Sequence, residues 1–427
     1  MKNIVRTSAA VVCAVLLIVA IWAAIAWPRA QLLPSKSPDD YAASAANLAR
    51  GAYLAKAGDC MACHTTRGGA PYAGGKLLQT PFGAVAAPNI TPDRATGIGA
   101  WSADDFWGAL HNGMSRDGRL LYPAFPYTNY TKVSRADADA LFAFLRALPP
   151  VRQVNASHQL RFPYNTQAAL AGWRLLYFKP GVFEPAPGRS AQLNRGAYLV
   201  EGLGHCSACH SARNFAGAGA ASLGGGLIPM LDWYAPSLTA DTEAGLGGWA
   251  VPEIVDLLKT GVSPRATVFG PMAEVVARSL QHLDTTDITA MALYLKALPA
   301  TPVERRAQET TPQLQQVVEL GKQLYTTHCV DCHGADGKGM PPAYPPLAGN
   351  RALTMEAAVN PIRIVLNGGF APGTAGNPRP YGMPPYSHVL NDAEVAAVVT
   401  YLRSSWGNQA PPVSAREVNR YRATPGD

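Results

Sequence analysis

A chain of 427 residues is too long for a single hydrophobic core and points to two to four domains. With 48% hydrophobic and 15% charged residues it is not a disordered polymer, while 36 prolines and 40 glycines favour short helices joined by long turns. The net charge of +7 comes from scattered Lys and Arg with no basic run interleaved with aromatics, which excludes nucleic acid as a partner and leaves an acidic protein or a membrane surface.

At the amino terminus, Lys2 and Arg6 precede an uninterrupted apolar run at residues 9–27. At about 1.5 Å per helical residue this run nearly matches a hydrocarbon core of roughly 30 Å, so residues 1–30 are expected to form a membrane anchor. Trp22 and Trp27 suit interfacial anchoring. The competing reading is a cleaved signal segment, since Ala24-Ile25-Ala26 fits a small-x-small cleavage pattern. Either way, the rest of the chain is expected in the bacterial periplasm. Cys13 lies inside the run and reads as a small apolar residue.

After a linker at 31–48, one pattern occurs three times. Gly51-Ala52-Tyr53-Leu54 is followed by Cys60-Met61-Ala62-Cys63-His64, Gly196-Ala197-Tyr198-Leu199 by Cys206-Ser207-Ala208-Cys209-His210, and Gly321-Lys322-Gln323-Leu324 by Cys329-Val330-Asp331-Cys332-His333. Cys-x-x-Cys-His is a c-type haem attachment site, in which both thiols add to haem vinyl groups and the histidine binds the iron. Six of the seven cysteines fall in these motifs and none remains for a disulfide framework. Three covalently bound haem c groups are therefore expected. Zinc held by the cysteine pairs would need four ligands per site and would leave the repeated histidine-methionine modules unexplained.

The modules are expected at 49–150, 189–300 and 314–406, with a connector at 151–188, a linker at 301–313 and a tail at 407–427. In the first, Ser102 with Asp105 signals a helix start, and a closing helix is expected over 137–148 before Pro149-Pro150. The second repeats this grammar, with Trp249 answering Trp101 and a closing helix at 284–298; the third closes from about Asn391 to Leu402. The connector carries Phe162-Pro163-Tyr164-Asn165 and an apolar patch at 173–178.

His64, His210 and His333 are the candidate proximal ligands. On the opposite face a Met thioether stabilises ferrous iron. Met383, in Tyr381-Gly382-Met383-Pro384-Pro385, and Met272, in Phe269-Gly270-Pro271-Met272, are the candidates for the third and second modules. Met340, Met355, Met291 and Met230 fit less well; Met355 opens a helical stretch in this reading. In the first module Phe125 stands where methionine is needed. That leaves Met114, His111, His158 or no sixth ligand.

The motifs Asn89-Ile90-Thr91-Pro92 with Gly97-Ile98-Gly99, Ser115-Arg116-Asp117-Gly118 leading to Leu121-Tyr122-Pro123-Ala124-Phe125-Pro126-Tyr127, and Gly172-Trp173-Arg174-Leu175-Leu176-Tyr177-Phe178 carry a resemblance. In them the chain resembles the triheme cytochrome c subunit of bacterial membrane-bound periplasmic dehydrogenases. The resemblance implies an all-α chain of three tandem cytochrome c-like domains after the N-terminal transmembrane or signal helix. It implies an electron-transfer subunit, not catalytic by itself, that passes electrons from a catalytic dehydrogenase subunit to ubiquinone or a terminal oxidase. That partner is of molybdenum, pyrroloquinoline quinone (PQQ) or flavin type, and Phe125 is similar to subunits that accompany molybdenum enzymes. The alternative is a peroxidase-like haem enzyme using an open face on the first haem.

Overall fold

The computed structural model describes residues 44–220, 222–301 and 311–422. The apolar run at 9–27 lies outside the described residues, and among those described no helix is long and apolar enough to cross a membrane. The chain divides into two compact units, Met1–Gly51 with Thr66–Val182 and Ala52–Thr65 with Phe183–Asp427.

In the first unit, the helix Ala103–Asn112 starts on the expected capping box: Ser102 accepts the Asp105 N–H, and the Asp105 carboxylate accepts the Ser102 N–H. The closing helix runs Arg135–Arg146 and is capped by Ser134, two residues earlier than the apolar pattern implied. It meets the preceding helix through Phe142, whose ring lies 5.3 Å from that of Phe106. A small antiparallel sheet joins Leu77–Thr80, Gly83–Ala86 and Gln159–Leu160, with Leu78 opposite Val85 and Gly83 opposite Leu160.

The connector is built into this unit as far as Val182. Asn89 donates its side-chain amide to the Val151 carbonyl (2.7 Å), and Asn155 accepts the Asn89 N–H (2.7 Å). The helix Gln167–Tyr177 follows, after which Phe178 meets Tyr127 edge-on at 4.8 Å with Arg174 over its ring.

In the second unit, the helix Ala191–Tyr198 continues through a π turn, Leu199–Leu203, and packs on the helix Thr285–Lys296. The helix Pro312–His328 packs in the same way on Asp392–Ser404. Two cores result, one around Leu199, Ile254, Val276 and Ile288, the other around Ile362, Val395, Val399 and Val418. They are joined by polar contacts: Asn360 accepts the Tyr234 N–H (2.9 Å) and returns a bond to the Tyr234 carbonyl (2.8 Å), and Thr374 donates to the Thr260 carbonyl (3.0 Å).

Three features differ from the sequence reading. The fold is mostly helical but includes short hairpins such as Gly226–Ile228 with Trp233–Ala235. The expected tail contains a helix, Ala415–Arg422, because Val418 and Tyr421 share a face and bury it in the second core. Met355 ends the helix Arg351–Thr354 and is buried, so it opens no helix.

Candidate cofactor-binding site

Each Cys-x-x-Cys-His motif is delivered by a leading helix. Asp59 (φ 46°) and His205 (φ 34°) are left-handed and turn the chain into Cys60–His64 and Cys206–Ala208, whereas Cys329 passes into Val330–His333 without such a residue. Burial pushes the thiols of Cys60 and Cys206 up to about 12 and that of Cys329 to about 11, and raises Cys209 as well. In the unmodified chain these are neutral thiols rather than thiolates. Among the described residues no three His, Cys, Asp or Glu side chains converge as metal donors.

The histidines of the second and third motifs are oriented by backbone. Nδ1 of His210 lies 2.7 Å from the Pro236 carbonyl, and Nδ1 of His333 lies 3.1 Å from the Pro345 carbonyl. A carbonyl only accepts, so Nδ1 carries the proton and Nε2 keeps its lone pair for a metal. Burial lowers the His210 pKa to about 4, against the bond to Pro236 and with help from the Arg351 charge. It also lowers that of His333, against the bond to Pro345. Both rings are neutral at physiological pH.

One cavity of about 330 Å³ is lined by Cys209, His210 and Met272 and by Cys329, Cys332, His333 and Met383. Met272 is the second residue of the helix Pro271–Arg278, while Met383 sits in the strand Gly382–Met383, paired with Gly369–Phe370. The two candidates reach one cavity from different local structures. Met291 is buried in the first of the two cores, Met355 is also buried, and Met230 and Met340 are exposed on loops.

For the first motif, the first unit accounts for the alternatives as follows. Phe125 packs 5.2 Å from the Tyr130 ring, and the Met114 backbone bridges to Leu120. His158 Nδ1 accepts the Ala86 N–H (3.1 Å), which places the proton of the neutral ring on Nε2 and leaves no lone pair there. His111 is stacked on Trp107 and donates from Nδ1 to the Thr131 carbonyl (2.9 Å), the same tautomer as His210 and His333.

The sequence reading missed Arg351, which lines the same cavity. Burial lowers its pKa to about 10, against the nearby Asp241 charge, so it stays cationic at neutral pH. Its Nε is buried with no hydrogen-bond partner among the described residues. No local pattern marks it, because Arg351 donates to the Ser237 carbonyl, 114 residues away in sequence.

These features fit haem c. The cavity offers paired thiols, histidines with a free Nε2, methionine thioethers, largely apolar walls and an orphaned buried N–H on a cation, which suits a haem carboxylate. The fold and site define a c-type cytochrome.

The cytochrome c sequence family matches residues 48–149 and 318–406. Among curated proteins, the cytochrome c subunit of a quinone-linked alcohol dehydrogenase from Gluconacetobacter polyoxogenes is 37% identical, over 91% of this chain and 86% of the relative. The gluconate 2-dehydrogenase cytochrome c subunit of Pantoea cypripedii is 40% identical, over 90% of this chain and 91% of the relative. A nicotinate dehydrogenase subunit from Pseudomonas putida is 41% identical, over 94% of this chain but 34% of the relative. The chain belongs to the family of dehydrogenase cytochrome c subunits.

Proposed function

We propose that this chain is a triheme c-type cytochrome, the electron-transfer subunit of a periplasmic dehydrogenase held at the inner membrane. It takes electrons from a separate catalytic subunit and delivers them to ubiquinone or a terminal oxidase. The observation that carries the reading is that His210, Met272, His333 and Met383 line one cavity, so two of the three sites adjoin.

When bound, haem c supplies an iron that alternates between ferric and ferrous and so carries one electron. The side chains of this chain hold and tune it. Cys60 and Cys63, Cys206 and Cys209, and Cys329 and Cys332 would form the thioether links, and His64, His210, His333, Met272 and Met383 would ligate the iron. Pro236 and Pro345 fix the tautomers of their histidines, and the apolar walls exclude water, favouring the less charged ferrous state.

The catalytic partner is a quinoprotein, flavin or molybdenum dehydrogenase; relatives in this family are named for alcohol, gluconate and nicotinate dehydrogenases. The test is isolation of the native complex. A dehydrogenase subunit should co-purify, and its substrate should reduce the c-type absorbance of this chain. A chain that purifies alone and stays oxidised in every such extract overturns the reading. In the alternative, a peroxidase-like first haem, the reduced wild-type protein would bind carbon monoxide and turn over peroxide.

A further inference from the structure

Arg351 opens the short helix Arg351–Thr354 of the third module, yet its side chain is committed to the second. It donates to the Ser237 carbonyl, one residue beyond the Pro236 carbonyl that orients His210, and its guanidinium lies 5.8 Å from the Trp249 ring. It is 8% exposed and lines the cavity beside Cys209 and His210. Burying a cation is costly unless it is paired and hydrogen-bonded. The protein carboxylate in reach electrostatically is Asp241, whose Oδ1 is already engaged by the backbone N–H groups of Glu243, Ala244 and Gly245. Among the described residues the Nε–H has no partner.

We propose that Arg351 holds a carboxylate of the haem attached at Cys206 and Cys209, and that the third module thereby raises the reduction potential of the second. The proposal rests on the triheme reading above. Its physical content is a sign. A fixed cation near an iron stabilises the ferrous form, whose charge is lower, so removing it favours the ferric form. The guanidinium suits the task because its planar fork donates to Ser237 with one nitrogen and to a carboxylate with another. The second haem is the one addressed because Ser237, Pro236 and Trp249 all belong to the second module.

The test uses the full-length holoprotein, with haem content measured before an optical redox titration. Arg351→Gln should keep three haems and move one of the three components to lower potential. The shift should be tenfold in the oxidised-to-reduced ratio, or about 59 mV for one electron. The component that moves should be the one displaced by Met272→Ala. Arg351→Lys, which keeps the charge without the fork, should shift the same component by less. Asn360→Ala, which removes a neutral contact between the same two modules, should leave all three in place.

The proposal is overturned if Arg351→Gln moves nothing, if the component displaced by Met383→Ala moves instead, or if Asn360→Ala gives an equal shift. Should Arg351→Gln fail to load haem, the Arg351→Lys titration decides, and an unshifted component there is contrary. Fewer than three haems in the unaltered protein would refute the triheme reading instead.

Discussion

Gly321 lies so close to the carbonyl oxygen of Ala397 that a Cβ on Gly321 would stand 2.2 Å from it. Gly196 has the same relation to Ala290 at 2.0 Å and Gly51 to Ala140 at 1.9 Å, and in each case the aromatic four residues further along the closing helix, Tyr401, Tyr294 or Phe144, completes the contact. The repeated glycine is thus a helix-crossing point, with backbone touching backbone. Gly321→Ala should cost about 2 kcal/mol or more through forced separation of the helices. Gly172→Ala, in an exposed helix position with nothing within 4 Å, should instead gain up to about 1 kcal/mol. Denaturant unfolding followed by circular dichroism measures both; equal effects would refute the crossing argument.

Arg195, one residue before the glycine of the second module, forms a two-pronged bond to Asp287 at 2.8 and 2.7 Å, and Tyr53 donates to the same carboxylate at 2.7 Å. In the first module Arg50 Nε and Nη2 both reach Oδ1 of Asp137. Asp287→Ala strips two donors of their acceptor and should cost about 2 kcal/mol in the same unfolding assay. A loss no larger than that of an exposed pair such as Lys338–Asp336 would contradict this.

Asp241 titrates below the ordinary carboxylate range: burial raises its pKa, but hydrogen bonds from Ser237 and from the N–H groups of Ala244, Gly245 and Glu243 outweigh it. A depressed folded-state pKa means the stabilisation is full above the unfolded value, near 3.9, and is lost as pH falls through the folded value. Asp241→Asn should therefore be less stable than wild type by about 1 to 2 kcal/mol at pH 7, with the gap closing below about pH 4. A gap independent of pH would contradict it.

Met272→Ala and Met383→Ala each remove a thioether from the cavity wall. Each should lower the potential of one haem and open its iron to carbon monoxide. A Soret change on adding carbon monoxide to the reduced variant, beyond that of wild type, is the readout. No added change for either would remove that methionine from the ligand set.

Much of this architecture was legible because it is local. The Cys-x-x-Cys-His spacing, the Ser102–Asp105 capping box and the apolar periodicity of the closing helices are written within a few residues of each other. Helix ends moved where a cap overrode the pattern, as at Ser134. What could not be read depends on distant chain segments. The two-residue ladder that presents Met383 pairs with Gly369, and the contact of Arg351 with Ser237 has no sequence period. Val418 and Tyr421 looked like part of a polar tail because two apolar residues among arginines declare a face only once a core receives them.

The central claim is tested most directly by the haem content of the purified chain, measured as pyridine haemochrome against protein concentration. Three haem c per chain is the expected result, falling to two when Cys206 and Cys209 are both replaced by alanine. Two or fewer in the unaltered chain would contradict it.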